Sequence, residues 1–80
     1  MSASQRELAK SKAEKMIRHE IDRISRSQFP RDDFCSGMIE LAYELDLLTD
    51  NGHDYWRHSA SIAVEDRRKQ LNAKIGKEAA

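Results

Sequence analysis

Helix-breaking residues are scarce in this chain, and their positions limit how many helices it can form. Proline occurs once, at Pro30, and glycine occurs three times, at Gly37, Gly52 and Gly76. Between breaks near residues 30, 52 and 76, apolar residues recur three or four positions apart, which is typical of one helix face. We therefore predict a single all-α domain of three helices over residues 1–80. The helices are expected at about 4–27, 33–48 and 54–75, with a frayed tail at 76–80.

The connection between the second and third helices is predicted from Asn51-Gly52, a strong turn signal. A short loop places two successive helices side by side, so we expect a long N-terminal helix followed by an antiparallel αα-hairpin. Acidic and hydroxyl side chains stand where helix N-caps are needed. The capping candidates are Asp32 or Asp33 for the second helix, and Thr49, Asp50 or Asp54 for the third.

The first and third helices each carry one main apolar stripe, which we expect to face the core. In the first helix the stripe contains Ala13, Ile17, Ile21 and Ile24, and Leu8 points away from it. In the third helix the stripe contains Trp56, Ala60, Ala63, Val64, Leu71 and Ile75.

The second helix is apolar on two faces, so two surfaces must cover it. One stripe contains Phe34, Met38, Leu41, Leu45 and Leu48, and the other, on nearly the opposite side, contains Ile39, Tyr43 and Leu47. We predict that the longer stripe faces the core, and that the shorter one meets a second copy or another protein. The alternative is that all three helices enclose both faces within one monomer. Leu, Ile, Val and Phe total only 15 of 80 residues, and such a small core favours a homodimer.

The charges are arranged in blocks, although the chain as a whole has zero net charge. Between Arg31 and Arg57 lie 25 residues that include seven carboxylates and no lysine or arginine. We therefore predict a small cytoplasmic interaction protein of the bacterial, plasmid or phage type, a regulator, adaptor or inhibitor that binds a partner through its acidic central helix. The expected partner-binding residues are Ile39, Glu40, Tyr43, Glu44, Leu47 and Tyr55.

The alternative function is a nucleic-acid-binding transcriptional regulator that uses the basic residues of helices 1 and 3. The candidate residues in helix 3 are Arg67, Arg68, Lys69 and Lys74. A sequence pI of about 6.8 argues against this alternative. The fit to a helix-turn-helix is also poor, because Asp46 stands where glycine is favoured and the turn through Asn51 is long.

No residue pattern indicates an active site, and we expect no enzymatic activity, cofactor or metal. His53 and His58 are five residues apart, whereas two zinc ligands on a helix are usually four apart. Cys35 is alone, so it forms no disulfide within the chain, and no base stands beside it in the sequence. We expect an inert, partly buried thiol.

Overall fold

The computed structural model of the protein describes residues 3–79, with side chains described through residue 74. Three helices account for the regular structure of this part of the chain: α1 (Ala3–Ile24), α2 (Asp33–Glu44) and α3 (Asp50–Ala79). Each helix packs against the other two, and the described residues contain no strand. The prediction of an all-α, three-helix fold is confirmed.

The first helix ends three residues earlier than expected, and a short irregular segment leads from it to α2. The amide of Ser27 still donates to the carbonyl oxygen of Ile24 at 3.1 Å, and Pro30 is buried in the connection. Asp32 occupies the N-cap position of α2, where its carbonyl oxygen accepts a hydrogen bond from the amide of Ser36. Its carboxylate forms no capping hydrogen bond.

The second helix also ends early, at Glu44, so the expectation that it reaches Leu48 is wrong. Asp46 has a φ of 60°, and it occupies the left-handed position that commonly terminates helices. The amide of Asp46 donates to the carbonyl of Tyr43, and the amide of Leu47 donates to that of Ala42. This pair of hydrogen bonds defines a Schellman motif, with aspartate at the position that glycine usually occupies.

The third helix begins at Asp50, so Asn51-Gly52 lies in its first turn and is not the predicted loop. Thr49 caps this helix, because its Oγ1 accepts a hydrogen bond from the amide of Gly52 at 3.0 Å. The amide of His53 donates to the carbonyl oxygen of Thr49 at 2.8 Å. A capping threonine therefore overrides the turn preference of the Asn-Gly pair.

The core lies where the three helices meet. It contains Ile17, Ile24, Cys35, Ile39, Ala42, Leu48, Trp56, Ala60 and Val64. Most of the stripes expected on α1 and α3 contribute to it, with Ala13, Ile21 and Ala63 packed at its edge. Leu8 is exposed, as expected. Leu71 is partly buried, and the predicted burial of Ile75 concerns a side chain outside the described residues. The third helix continues through Gly76 to Ala79, so the expectation that it ends near residue 75 and is followed by a frayed tail is wrong for residues 76–79.

The predicted orientation of α2 is wrong, although Leu48, which lies beyond the end of the helix, is buried as its place in the longer stripe predicts. Ile39, which was expected to face outward, is 0% exposed, whereas Leu41 and Leu45, which were expected in the core, are exposed. The residues that accompany Ile39 toward the other helices are the small Cys35 and Ala42. Small side chains at a contact let helix axes approach closely, and the bulkier stripe would hold them farther apart. The small side chains beside Ile39 therefore favour close packing of this face against the core.

Candidate interaction surfaces

A row of exposed apolar side chains runs along α2 beside α1. We call it the apolar groove and define it by Met16, Phe34, Met38, Leu41 and Leu45. Met38 is partly buried, and the other four side chains are 60% to 65% exposed. A depression of about 150 Å³ between the two helices is lined by Ala13, Met16, Ile17, Met38, Leu41, Ala42, Leu45 and Leu47. The groove is apolar along this depression. At its Phe34 end, beside Met16 and Met38, it meets a wider depression that is also lined by Lys15, Arg18, His19, Glu20 and Asp22.

Helical spacing explains why these side chains share one surface. Phe34, Met38 and Leu41 of α2 and the C-cap residue Leu45 are separated by four, three and four positions, which places them on one face of the helix. The face that packs in the core is adjacent and carries smaller side chains. The most hydrophobic face of α2 is therefore left exposed in the described part of the chain.

The two edges of the groove differ in charge. On α1, Lys12 and His19 are four and three residues from Met16, so the three side chains share a face. On α2, Glu44 is three residues from Leu41 and lies along the outer edge. Lys12, His19 and Glu44 are all exposed. Near Leu41 and Leu45 the groove thus has a basic edge on α1 and an acidic edge on α2, whereas the α1 side of its Phe34 end carries charges of both signs.

On the other side of α2, Glu40 and Tyr43 contact α3. Oε1 of Glu40 lies 2.7 Å from Nε2 of His53 and accepts a hydrogen bond from Nη1 of Arg57 at 2.9 Å. The His53 hydrogen bond lowers the pKa of Glu40, and the same bond raises the pKa of His53. The hydroxyl of Tyr43 donates to Asp50, which raises the pKa of Tyr43, and its ring packs 4.4 Å from that of His53.

The structure separates the predicted partner-binding residues into different environments. Ile39 is in the core, so its assignment to an outer surface is wrong, and the partly buried Leu47 packs against the core. Glu40 and Tyr43 are engaged with α3, as described above. Glu44 and Tyr55 remain exposed, and the ring of Tyr55 packs edge-on against Trp56 at 4.9 Å.

The predicted nucleic-acid-binding residues are also placed differently from one another. Nε of Arg67 donates to the carbonyl oxygen of Ser27 at 2.9 Å, joining α3 to the segment after α1. Lys69 pairs with Glu65 one helical turn away at 3.2 Å. Arg68 and Lys74 are exposed. Sequence reasoning therefore grouped a structural arginine with side chains that remain accessible.

Arg68 and Lys74 line a second depression, of about 780 Å³, which we call the basic groove. Its other lining residues are Gln28, Phe29, Pro30, Arg31, Arg67, Gln70, Leu71 and Asn72. Phe29 is 84% exposed, more than any other large apolar side chain in the described residues. Sequence reasoning missed this aromatic, although its place beside Pro30 in a break between helices was a usable signal.

Potential catalytic and metal-binding groups are dispersed. Cys35 is buried, and burial together with the nearby carboxylates of Glu20 and Asp32 raises the pKa of its thiol to about 11. His58 is exposed, and His53 is held by Glu40. Among the described residues, no three histidine, cysteine or carboxylate side chains are grouped as metal ligands.

None of the helices in the described part of the chain combines the length and hydropathy needed to span a bilayer. Comparison of the chain with protein-family models, curated proteins and solved structures found no match. Function must therefore be inferred from the geometry of the chain's own surface.

Proposed function

We propose that this protein acts by binding another protein chain, as a small regulator, adaptor or inhibitor, and that the apolar groove is its binding surface. The observation that carries this proposal is the row of four large apolar side chains, each more than half exposed. A contiguous apolar patch edged by charged residues is typical of protein interfaces. Met16 and Met38 add adaptability, because unbranched thioether side chains fit irregular surfaces.

The form of the groove favours an amphipathic helix as the bound element. Its four positions on α2 repeat with helical spacing, so they match apolar residues placed three and four apart on a partner helix. The basic edge on α1 and the acidic edge on α2 favour a partner helix with oppositely charged flanks. Glu44 keeps its expected role at the partner contact, whereas Glu40 and Tyr43 would have to leave their contacts with α3.

We also infer that α2 and α3 form the antiparallel hairpin expected from the sequence. Three contacts support this arrangement. Tyr43 meets Asp50, and Glu40, one turn earlier on α2, meets His53 and Arg57 farther along α3. Contacts that move backward along one helix and forward along the other are characteristic of antiparallel neighbours.

Site-specific photo-crosslinking in cells tests the protein-binding proposal. A photoreactive phenylalanine analogue at Leu41 should form adducts with a protein, and the same analogue at the exposed Ser61 of α3 should not. Leu45→Glu in the Leu41-labelled chain should remove the adducts, because a carboxylate in the groove must be desolvated when a partner binds. Equal protein adducts from both positions, or none from Leu41, would contradict the proposal.

A second candidate function is single-stranded nucleic-acid binding at the basic groove. The observation that favours it is the exposed ring of Phe29 in a depression also lined by Arg68 and Lys74. Single strands bind where bases can stack on an aromatic ring while cationic side chains follow the phosphates. Arg31 is a weaker contributor because it pairs with Asp33.

A further inference from the structure

We propose that the partner in the apolar groove is a second copy of this chain, and that the two grooves pack together as a twofold-symmetric dimer. The inference rests on the proposed function, in which the groove binds protein. It replaces the dimer surface expected from the sequence, because Ile39 of that surface is buried in the core.

The charges on the two edges of the groove favour a second copy of the chain as the partner. The helix α1 contains six basic and four acidic side chains, whereas α2 contains three acidic and no basic ones. Lys12 on the α1 edge and Glu44 on the α2 edge are exposed and form no ion pair among the described residues. One face therefore presents an apolar row between unpaired charges of opposite sign.

Twofold symmetry can make such a face complementary to itself. An axis parallel to the two helices places α1 of each copy over α2 of the other, so the basic edge of one copy meets the acidic edge of the other. An axis across the helices would place α1 over α1 and α2 over α2, with like charges opposed, which is unfavourable. We therefore assign the axis that runs along the groove. A closed interface of this kind uses the same patch on both copies.

The exposed apolar surface and the small size of the chain also favour a dimer. A domain of this length buries only about 60 to 65% of its unfolded surface, and association is a common way to bury more. Phe34, Leu41 and Leu45 would lose their contact with water in the dimer. In one copy alone, the described residues place no element over them.

A charge-swap experiment tests the inference by sedimentation at up to about 100 μM protein, well above the Kd of a micromolar dimer. Wild-type protein should dimerise. Lys12→Glu and Glu44→Lys should each weaken dimerisation at least about tenfold, because each single change places two pairs of like charges across the interface. The double variant Lys12→Glu/Glu44→Lys should recover dimerisation, and so should an equimolar mixture of the two single variants.

Circular dichroism checks that each variant is folded. Because the substitutions are at exposed positions, all the variants should retain the helicity of the wild type. A wild-type monomer throughout the concentration range would overturn the dimer. So would single variants that dimerise normally, or a double variant that fails to recover. If the wild-type protein is a monomer and Leu41 crosslinks to a different protein, the proposal of a homodimer is overturned while the proposed function is supported. Loss of all groove adducts would overturn the proposed function itself.

Discussion

Nε2 of His53 lies 2.7 Å from Oε1 of Glu40, so a side chain in the second turn of α2 is joined to one in the first turn of α3. Arg57 contacts the same carboxylate oxygen at 2.9 Å. One acidic side chain of α2 thus contacts two groups of α3.

Glu40→Gln should lower the pKa of His53 toward its ordinary value of 6.5, because the carboxylate that favours the imidazolium is lost. An NMR titration of the imidazole resonances measures this shift. Glu44→Gln is the matched control, because Glu44 is exposed and forms no ion pair among the described residues. An unchanged His53 pKa in Glu40→Gln would show that the pair does not persist in solution.

The same pair should make stability depend on pH. The raised pKa of His53 adds stability that is fully present below its ordinary value of 6.5 and is lost as pH rises through the raised value. The lowered pKa of Glu40 adds stability that is present above 4.5 and is lost as pH falls through the lowered value. The pair should therefore contribute most between pH 4.5 and 6.5. Thermal melts of wild type and Glu40→Gln should differ most in this window.

Ile39→Ala should destabilise the domain by about 2 to 5 kcal/mol, because it removes a fully buried side chain. Leu45→Ala should change stability by about 0.5 kcal/mol or less, as expected of a surface position. Urea unfolding followed by circular dichroism compares the two variants. Protein at about 1 μM limits any contribution from association. Equal losses would contradict the orientation of α2 described above.

Thr49→Ala should cost about 1 kcal/mol, because the amide of Gly52 loses the hydroxyl that accepts its hydrogen bond. Thr49→Ser keeps a hydroxyl at the same position and should retain most of the stability. Both values can be read from the same urea unfolding measurements. If Thr49→Ser lost as much as Thr49→Ala, the capping hydrogen bond would not be the source of the effect.

Arg67→Ala should destabilise the fold by about 1 kcal/mol, because it removes the hydrogen bond to the carbonyl oxygen of Ser27. Arg68→Ala, at an exposed neighbour, should leave stability nearly unchanged. The second candidate function predicts a separate loss of oligonucleotide affinity in Arg68→Ala and in Phe29→Ala. Fluorescence anisotropy with a labelled single strand measures it.

The salt dependence of this binding separates stacking from phosphate contacts. Arg68→Ala should flatten the dependence of log K on log salt concentration by about 0.7, the value for one phosphate contact on a single strand. Phe29→Ala should leave the slope unchanged while weakening binding. Wild-type protein that binds no single strand at physiological salt would exclude this function.

The sequence predicts the fold class because the stripes of α1 and α3 have unambiguous helical spacing. Ile17, Ile24 and Trp56 are buried as their spacing predicts. The orientation of α2 was not predictable from hydrophobicity, because its larger apolar face stays outside while Cys35 and Ala42 allow close packing. The predicted end of α2 was also wrong. The helix ends at Glu44 because the chain adopts a left-handed backbone conformation at Asp46, which apolar spacing does not reveal.

The wrong orientation of α2 also affected the prediction of the exposed surfaces. Apolar spacing grouped Phe34, Met38, Leu41 and Leu45, but it assigned them to the core and therefore predicted that the opposite face of α2 would be the exposed one. The basic residues of α3 were recognisable as a cluster, but only their contacts distinguish the bonded Arg67 from the accessible Arg68. The place of Phe29 beside Pro30 was visible in the sequence, but its position beside Arg68 and Lys74 follows only from the fold.

The left-handed backbone at Asp46 restricts how this chain can diverge through evolution. Glycine and asparagine adopt that conformation readily, whereas a β-branched residue does so only with strain. We expect homologues to carry aspartate, asparagine or glycine at this position, even where the surrounding surface has changed. A change at this position to valine or isoleucine should therefore be accompanied by a different backbone geometry at the end of α2.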